Sequence, residues 1–374
     1  MGRFPRTPHY DALVLGGGPA GAATALALGR AGGSALIVEC VRQPAEKPGE
    51  SLPPSVNPLL DRLGLRAPFL AMTPLACHGN RSAWGSDTLA DYDFLRDPHG
   101  PGWHLDRPRF DALLLEQAVG AGAELRHGLH MRHAEPYDCG PWRVTLAGDS
   151  EAFTLTAGVV VDATGRASAF ARTQGARRHH TDRLLAVTAL LVPSGRPMED
   201  STTLVEARPD GWWYSALVPD GRLATAFLTD PDLLVGLHAR TVAGWDRLLA
   251  ESHHTRARVA AHGFRLVAPP RLAAAGSARL DQIAGAGWLA VGDAAATHDP
   301  LSSHGIGTAL SGGMKAAAAV QAQIGGDPTA LPVYAERVAR AYAAYLAMRR
   351  AYYAEERRWP SAPFWERRKS APNK

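Results

Sequence analysis

Short continuous apolar runs at Tyr10–Leu15, Ala35–Val38, Val159–Val161 and Trp288–Val291 each stop at a glycine or an acid, the pattern of strands buried in a parallel sheet. An alanine-rich segment, Ala22 to Leu28, joins the first two and reads as a helix. Phe110, Leu113, Leu114 and Ala118 recur at helical spacing before Gly120-Ala121-Gly122, and Ser55–Gly64 reads as a short capped helix. Two more helices are predicted from about Gly307 to Ile324 and from about Leu331 to Trp359. Strand patterns dominate elsewhere. Short strands around Leu125, Val144 and Leu155 predict a small antiparallel meander, and Cys77–Phe94 supplies strands of a second layer. Ala186–Val192, Thr202–Glu206, Trp212–Val218 and Leu223–Phe227 form a β-rich block, with Pro219-Asp220-Gly221 turning its last hairpin. No internal repeat is evident.

The turn between the first strand and its helix, Gly16-Gly17-Gly18-Pro19-Ala20-Gly21, gives this pattern a chemical meaning. Glycines at 16, 18 and 21 fit a dinucleotide fingerprint: one makes the turn, one admits a pyrophosphate, and one lets helix and sheet pack closely. The pyrophosphate would sit on the positive end of the helix. Glu39 closes the second strand, where an acid accepts bonds from the adenosine ribose hydroxyls. Two further strand ends carry small-residue turns, Asp162-Ala163-Thr164-Gly165-Arg166 and Gly292-Asp293-Ala294-Ala295. An acid at the second suits ribityl hydroxyls better than phosphate. Pro300 to Gly307 then supplies a loop and helix N-terminus whose amides stabilise negative charge on a reduced ring.

Composition narrows the class without choosing a function. The 374 residues, 46% hydrophobic and 20% charged, describe a globule able to bury a large core. A net charge of +4 comes from arginines spread along the chain, with a local excess only near the C-terminus, so nucleic-acid binding is not expected. Cys40, Cys77 and Cys139 have no metal spacing and read as reduced thiols of a cytoplasmic protein. No N-terminal stretch resembles a signal peptide, no run is long enough to span a bilayer, and Met1–His9 reads as a loose leader.

Together these motifs resemble the flavin monooxygenase superfamily of the p-hydroxybenzoate hydroxylase type, which also holds flavin-dependent halogenases and geranylgeranyl reductases. The resemblance implies an α/β fold: a Rossmann-like FAD-binding domain with an inserted β-rich substrate domain and a C-terminal helix. It divides the chain into FAD-binding pieces at 1–76, 102–182 and 273–326, substrate-domain pieces at 77–101 and 183–272, and a C-terminal helix with a basic tail at 327–374. It places FAD contacts on Gly16, Gly18, Ala20, Gly21, Glu39, Ser51, Arg107, Asp162, Gly165, Gly292, Asp293, Pro300, Gly305, Ile306 and Gly307. Arg107 is alternatively an exposed helix-start arginine. No second fingerprint is present, so electrons come from transiently bound NAD(P)H or a separate flavin reductase.

Pro48-Gly49-Glu50-Ser51-Leu52-Pro53 resembles the halogenase branch and its relatives. Halogenases direct hypohalous acid with a lysine downstream of this loop, yet no lysine lies between Lys47 and Lys315. Their W-x-W-x-I-P stretch is replaced by Tyr214-Ser215-Ala216-Leu217-Val218-Pro219. Ser82–Ser86, Gly102–Arg107, Gly211–Ser215, Arg358-Trp359-Pro360 and Pro363-Phe364-Trp365 instead resemble flavoprotein maturases for tryptophylquinone cofactors, although Ser303-His304 stands where that family more often has glycine-glutamine. This resemblance implies O2-dependent hydroxylation of a tryptophan in a partner protein or peptide.

Acid/base candidates for that reaction are Glu50, His298, Asp299 and His304. Each has a plainer alternative: bonding the backbone of its loop for Glu50, facing solvent for His298, capping the turn before Pro300 for Asp299, shaping the helix start for His304. Trp84, Trp103, Trp212 and Trp213 either line a substrate pocket or pack the core. Tyr342, Tyr345, Tyr352 and Tyr353 are expected to pack the last helix onto the body, and the tail beyond Trp359 to be solvated or to touch an acidic partner. Other readings of the function are a hydroxylase or halogenase of a small aromatic metabolite, a polyprenyl reductase, and a flavin-bearing chaperone without chemistry.

Overall fold

The computed structural model describes residues 7–42, 47, 49–137, 140–149, 152–195 and 197–369. Part of the proline-rich loop after Glu39, including Pro44 and Pro48, lies outside the described residues, as do Cys139 and residues 1–6 of the leader. The four continuous apolar runs assemble side by side: Trp288–Ala290, Ala152–Asp162, His9–Leu15 and Ala35–Glu39 are adjacent strands, all parallel. Leu13, Val14, Leu36, Ile37, Val160 and Leu289 have no exposed surface, which explains runs without polar alternation. Helices Pro19–Arg30 and Gly305–Ile324 pack together over this sheet, so the glycine turn and the second helix N-terminus belong to one layer. This is a Rossmann-like FAD-binding domain with an inserted β-rich region and a C-terminal helix.

Two predictions about strands are corrected. The segment around Leu125 (Glu124–His127) pairs parallel with Ala35–Glu39 and is not part of a meander. The patterns at Leu155 and Val159 are one strand, Ala152–Asp162, whose first half pairs antiparallel with Trp142–Ala147 and whose second half enters the parallel sheet. The mixed environment explains why its alternation stops midway: Thr154 and Thr156 point outward in the ribbon, and Val159–Val161 are buried on both sides.

The inserted region is a second sheet, ordered from Arg265–Leu266 through Leu185–Val192, Leu223–Thr229, Gly211–Leu217, Thr203–Arg208 and Gly79–Ala83 to Ala90–Asp93. The predicted hairpin is present, with Leu217 opposite Leu223. Trp212 and Trp213 are each 1% exposed and lie on opposite faces, against separate hydrophobic clusters. Trp103 donates its indole N–H to Asn57 Oδ1 at 2.7 Å, and Trp84 donates to the Tyr352 carbonyl at 2.8 Å. These four tryptophans therefore pack and brace the core.

The long helix Ala330–Glu355 buries Tyr342, Tyr345 and Tyr353, whereas Tyr352 faces outward. The tail beyond Trp359 is not solvated through its described length. It turns into a further helix, Pro363–Lys369, which buries Phe364 and Trp365 and pairs Arg367 and Arg368 with Asp230.

Candidate functional site

The glycine turn is built as a cradle. Gly16 has φ 112°, and a Cβ there would collide with the Ala163 carbonyl of the neighbouring strand end. A Cβ at Gly21 would collide with the Gly16 carbonyl oxygen, so helix and turn touch backbone to backbone. At Gly18 a Cβ would meet nothing within 4 Å, leaving open the approach to the helix N-terminus. Pro19 opens that helix, where a missing amide proton costs nothing. The Glu39 carboxylate accepts from Gly17 N and Val41 N, both at 2.8 Å, and its remaining lone pairs border a cavity of about 430 Å³. Leu115, Ala112 and Val119 give that cavity an apolar wall, and Lys47, Arg42 and Asp111 give it a polar mouth. An open turn, a helix start, a strand-end acid and a half-apolar cavity fit an adenine dinucleotide.

Arg107 is buried. It forks onto Asp111 through Nε and an Nη nitrogen at 3.2 Å each, and its other Nη donates to the Gly49 carbonyl at 3.3 Å. It thus ties the proline-rich loop to helix Arg107–Gly120 beside the cavity. Its exposed alternative is excluded.

The second strand end uses its acid internally. Asp162 accepts from Thr164 N and Thr164 Oγ1 on one oxygen and from Ala171 N at 2.8 Å on the other. Its carboxylate holds the turn, while Gly165 leaves open space above. Asp293 differs, because its side chain is 47% exposed and lies 3.7 Å from Arg166 Nε. Behind that turn Arg178 donates to Ser168 Oγ and the Asp293 carbonyl at 2.6 Å each. Gly292 abuts Ala20 across the two turns.

Pro300–Ser302 form a short turn, and Ser303 at φ 51° redirects the chain into the helix that begins at Gly305. The first-turn amides of Gly305, Ile306 and Gly307 lack a side-chain cap, and a Cβ at Gly305 would meet open space. His298 stacks edge-on against Tyr345, ring centroids 4.6 Å apart, and burial lowers its pKa so that the imidazole is neutral at pH 7. Asp293, Arg166 and His304 all act electrostatically on it, so these four groups share one region. Asp299 is 1% exposed and turned inward: one oxygen accepts from Leu301 N at 3.0 Å, the other from Arg349 Nε and Tyr353 OH. It caps the turn before Pro300, as the plainer alternative has it. Glu50 adjoins the insertion; burial, and after it the Glu50 charge, keep the Tyr214 hydroxyl protonated.

A polar knot missed in the sequence joins the two domains below this region. Ser51 Oγ lies 2.7 Å from Tyr214 OH and 3.3 Å from Thr203 Oγ1, which in turn lies 3.1 Å from His104 Nε2. The register Ser51 opposite His104 brings the members together, and no local motif signals it. Burial pushes the His104 pKa down to about 4, with Arg258 adding to the effect. The unfolded chain, at the ordinary 6.5, therefore takes up a proton that the native state refuses. The stability held by neutral His104 is complete above pH 6.5 and is lost between pH 6.5 and 4, by roughly 3 kcal/mol. Urea unfolding at pH 7 and pH 4.5 is expected to show this loss, and His104→Gln to reduce it; equal pH slopes in the two proteins refute the assignment.

Among the described residues no helix is long and apolar enough to cross a membrane, and no His, Cys, Asp and Glu group could hold a metal ion. A sequence profile for the family described as FAD binding domain matches residues 9–228. LodB of Marinomonas mediterranea, named as an FAD-dependent oxidoreductase, is 28% identical over 96% of both chains. The tryptophan 2-halogenase of Chondromyces crocatus is 27% identical over 84% of this chain and 62% of its own length, less than two thirds. Other curated relatives are named as halogenases, two of them acting on a pyrrole-2-carbonyl group of a peptidyl-carrier protein. The chondrochloren halogenase CndH shares the fold, with TM-score 0.88 and 21% identity over 97% of this chain and 86% of that one. The peptidyl tryptophan dihydroxylase QhpG, essential for tryptophylquinone cofactor biogenesis, superposes with TM-score 0.77 and 26% identity over 98% of this chain and 80% of that one.

Proposed function

The chain belongs to the FAD-binding-domain family, and from that premise we propose that this flavin-dependent oxidoreductase uses O2 to functionalise an electron-rich aromatic ring. The observation that carries the reading is the pairing of an open dinucleotide cradle at Gly18 with an uncapped helix start at Gly305–Gly307 in the same layer. Bound reduced FAD with O2 supplies an electrophilic oxygen. The chain's own residues do the rest. Backbone amides at 305–307 offer hydrogen bonds to an anionic ring edge, Asp293 accepts from hydroxyls, and Glu39 holds the adenosine end. His298, its imidazole neutral through burial and packed against Tyr345, is the base we assign to accept a ring proton, with Glu50 and His304 as the other candidates. Electrons arrive from NAD(P)H or from a separate flavin reductase.

Hydroxylation is favoured over halogenation by the absence of any lysine between Lys47 and Lys315. A tryptophan in a partner protein or peptide, modified during tryptophylquinone biogenesis, is one substrate reading, supported by similarity to QhpG over 98% of this chain. A small or carrier-linked aromatic is the second, and the comparisons favour it overall because halogenases predominate among the similar proteins. The test supplies FAD, NADH, a flavin reductase and O2, with tryptophan peptides or free and carrier-linked aromatics, with and without bromide, and reads product mass. A gain of one or two oxygens that ignores bromide supports hydroxylation, and the substrate that gains it decides between the two readings. Bromide-dependent bromination overturns hydroxylation.

A further inference from the structure

We infer that Tyr345, Arg349 and Tyr353, on one face of helix Ala330–Glu355, are positioning residues that set the 300–307 segment against the flavin through Asp299. The inference rests on the assignment of that segment to the flavin ring. The three lie four residues apart and so project from one stripe of the helix. All three converge on Asp299, the residue immediately before Pro300. Tyr345 OH accepts from Asp299 N at 2.6 Å, Arg349 Nε donates to Asp299 Oδ2 at 3.0 Å, and Tyr353 OH donates to the same oxygen at 2.8 Å. Asp299 Oδ1 accepts from Leu301 N, so the fixed carboxylate also fixes the turn.

The contacts continue into the insertion at Trp212 and, at Asp182 and Ser277, into the segments that flank it. Trp212 Nε1 donates to Tyr353 OH at 3.0 Å, Arg349 pairs with Asp182 at 2.9 Å, and Tyr345 OH lies 2.7 Å from Ser277 Oγ. Asp299, Tyr345, Arg349, Tyr353, Trp212 and Ser277 are all buried, leaving little room for the carboxylate to find other donors. Helix Ala330–Glu355 thereby reports the state of the second sheet to the loop at the flavin. Arg368, stacked 3.5 Å over Phe364 and held by Asp230, closes the cluster from outside.

Tyr353→Phe removes one O–H and keeps the ring in its aromatic surroundings. Phe364→Leu disturbs the same cluster without touching Asp299 and serves as the control. We expect Tyr353→Phe to weaken FAD binding about 5-fold or more and to alter the visible spectrum and midpoint potential of the bound flavin. The control is expected to lose stability yet bind FAD with wild-type affinity and spectrum. Wild-type affinity, spectrum and potential in Tyr353→Phe overturn the inference, as does an equal shift in both variants. Should Tyr353→Phe fail to fold, hydrogen exchange of the wild type decides: FAD is expected to protect amides of residues 345–353, and unchanged exchange there overturns the coupling. A wild-type protein that binds no FAD overturns the flavin assignment itself, a separable outcome.

Discussion

Gly18→Val is expected to weaken FAD binding about 100-fold while leaving the apoprotein as stable as the wild type. A Cβ at position 18 meets no atom within 4 Å, and the backbone there, φ −69° and ψ 178°, is open to any residue, so the fold pays nothing. The added side chain instead fills the approach to the Pro19–Arg30 helix start, where a pyrophosphate must come close to backbone amides. Losing that approach weakens binding on the order of 100-fold, about 2.7 kcal/mol. Gly21→Ala is the instructive contrast. Its Cβ collides with the Gly16 carbonyl and presses Ala163 and Val14, so it is expected to lower stability and FAD affinity together. Flavin fluorescence titration and urea unfolding of both variants measure the two effects; a Gly18→Val protein that retains wild-type FAD affinity refutes the cradle.

Arg349→Met is expected to cost far more stability than deletion of an exposed ion pair. The guanidinium is 6% exposed and neutralises Asp299 and Asp182, which are 1% and 13% exposed. Methionine keeps much of the volume but leaves both carboxylates facing a site built for a cation. Breaking such a buried pair costs about 3–5 kcal/mol, chiefly the penalty of the stranded charge. Asp299→Asn in the Arg349→Met background is expected to recover part of that loss. Removing the surface pair Arg340–Glu336, 69% and 67% exposed, is expected to change nothing measurable. Equal unfolding midpoints for Arg349→Met and Arg340→Met refute the assignment.

The FAD-binding layer was legible in the sequence because its signals are local. Gly16, Gly18 and Gly21 lie within six residues, and each apolar run ends at its own acid or glycine. The four-strand block of the insertion was legible for the same reason, through period-2 patterning and a Pro-Asp-Gly turn. Asp299 is singled out by sequence, but its partners are not, since Tyr345 and Tyr353 read as packing the last helix onto the body and Arg349 as part of a C-terminal excess of positive charge. Their common target lies about 50 residues away, beyond any spacing rule. His104 and Thr203 escape the sequence for the same reason: they lie about 100 residues apart on strands of different sheets. The strand around Leu125 was given the wrong partner because a half-buried strand alternates alike in either direction.

The parallel sheet has a temporal consequence. Its central strand, Ala152–Asp162, is flanked by His9–Leu15 on one side and Trp288–Ala290 on the other. On a ribosome adding about 5–20 residues per second, the first strand waits tens of seconds before the last one exists. The hairpins of residues 185–229 need only near neighbours in the chain and can form during that interval. Helix Gly305–Ile324 is synthesised later still. Cofactor loading is therefore a late event in biogenesis, and the growing chain carries an incomplete sheet edge until its last strand is made.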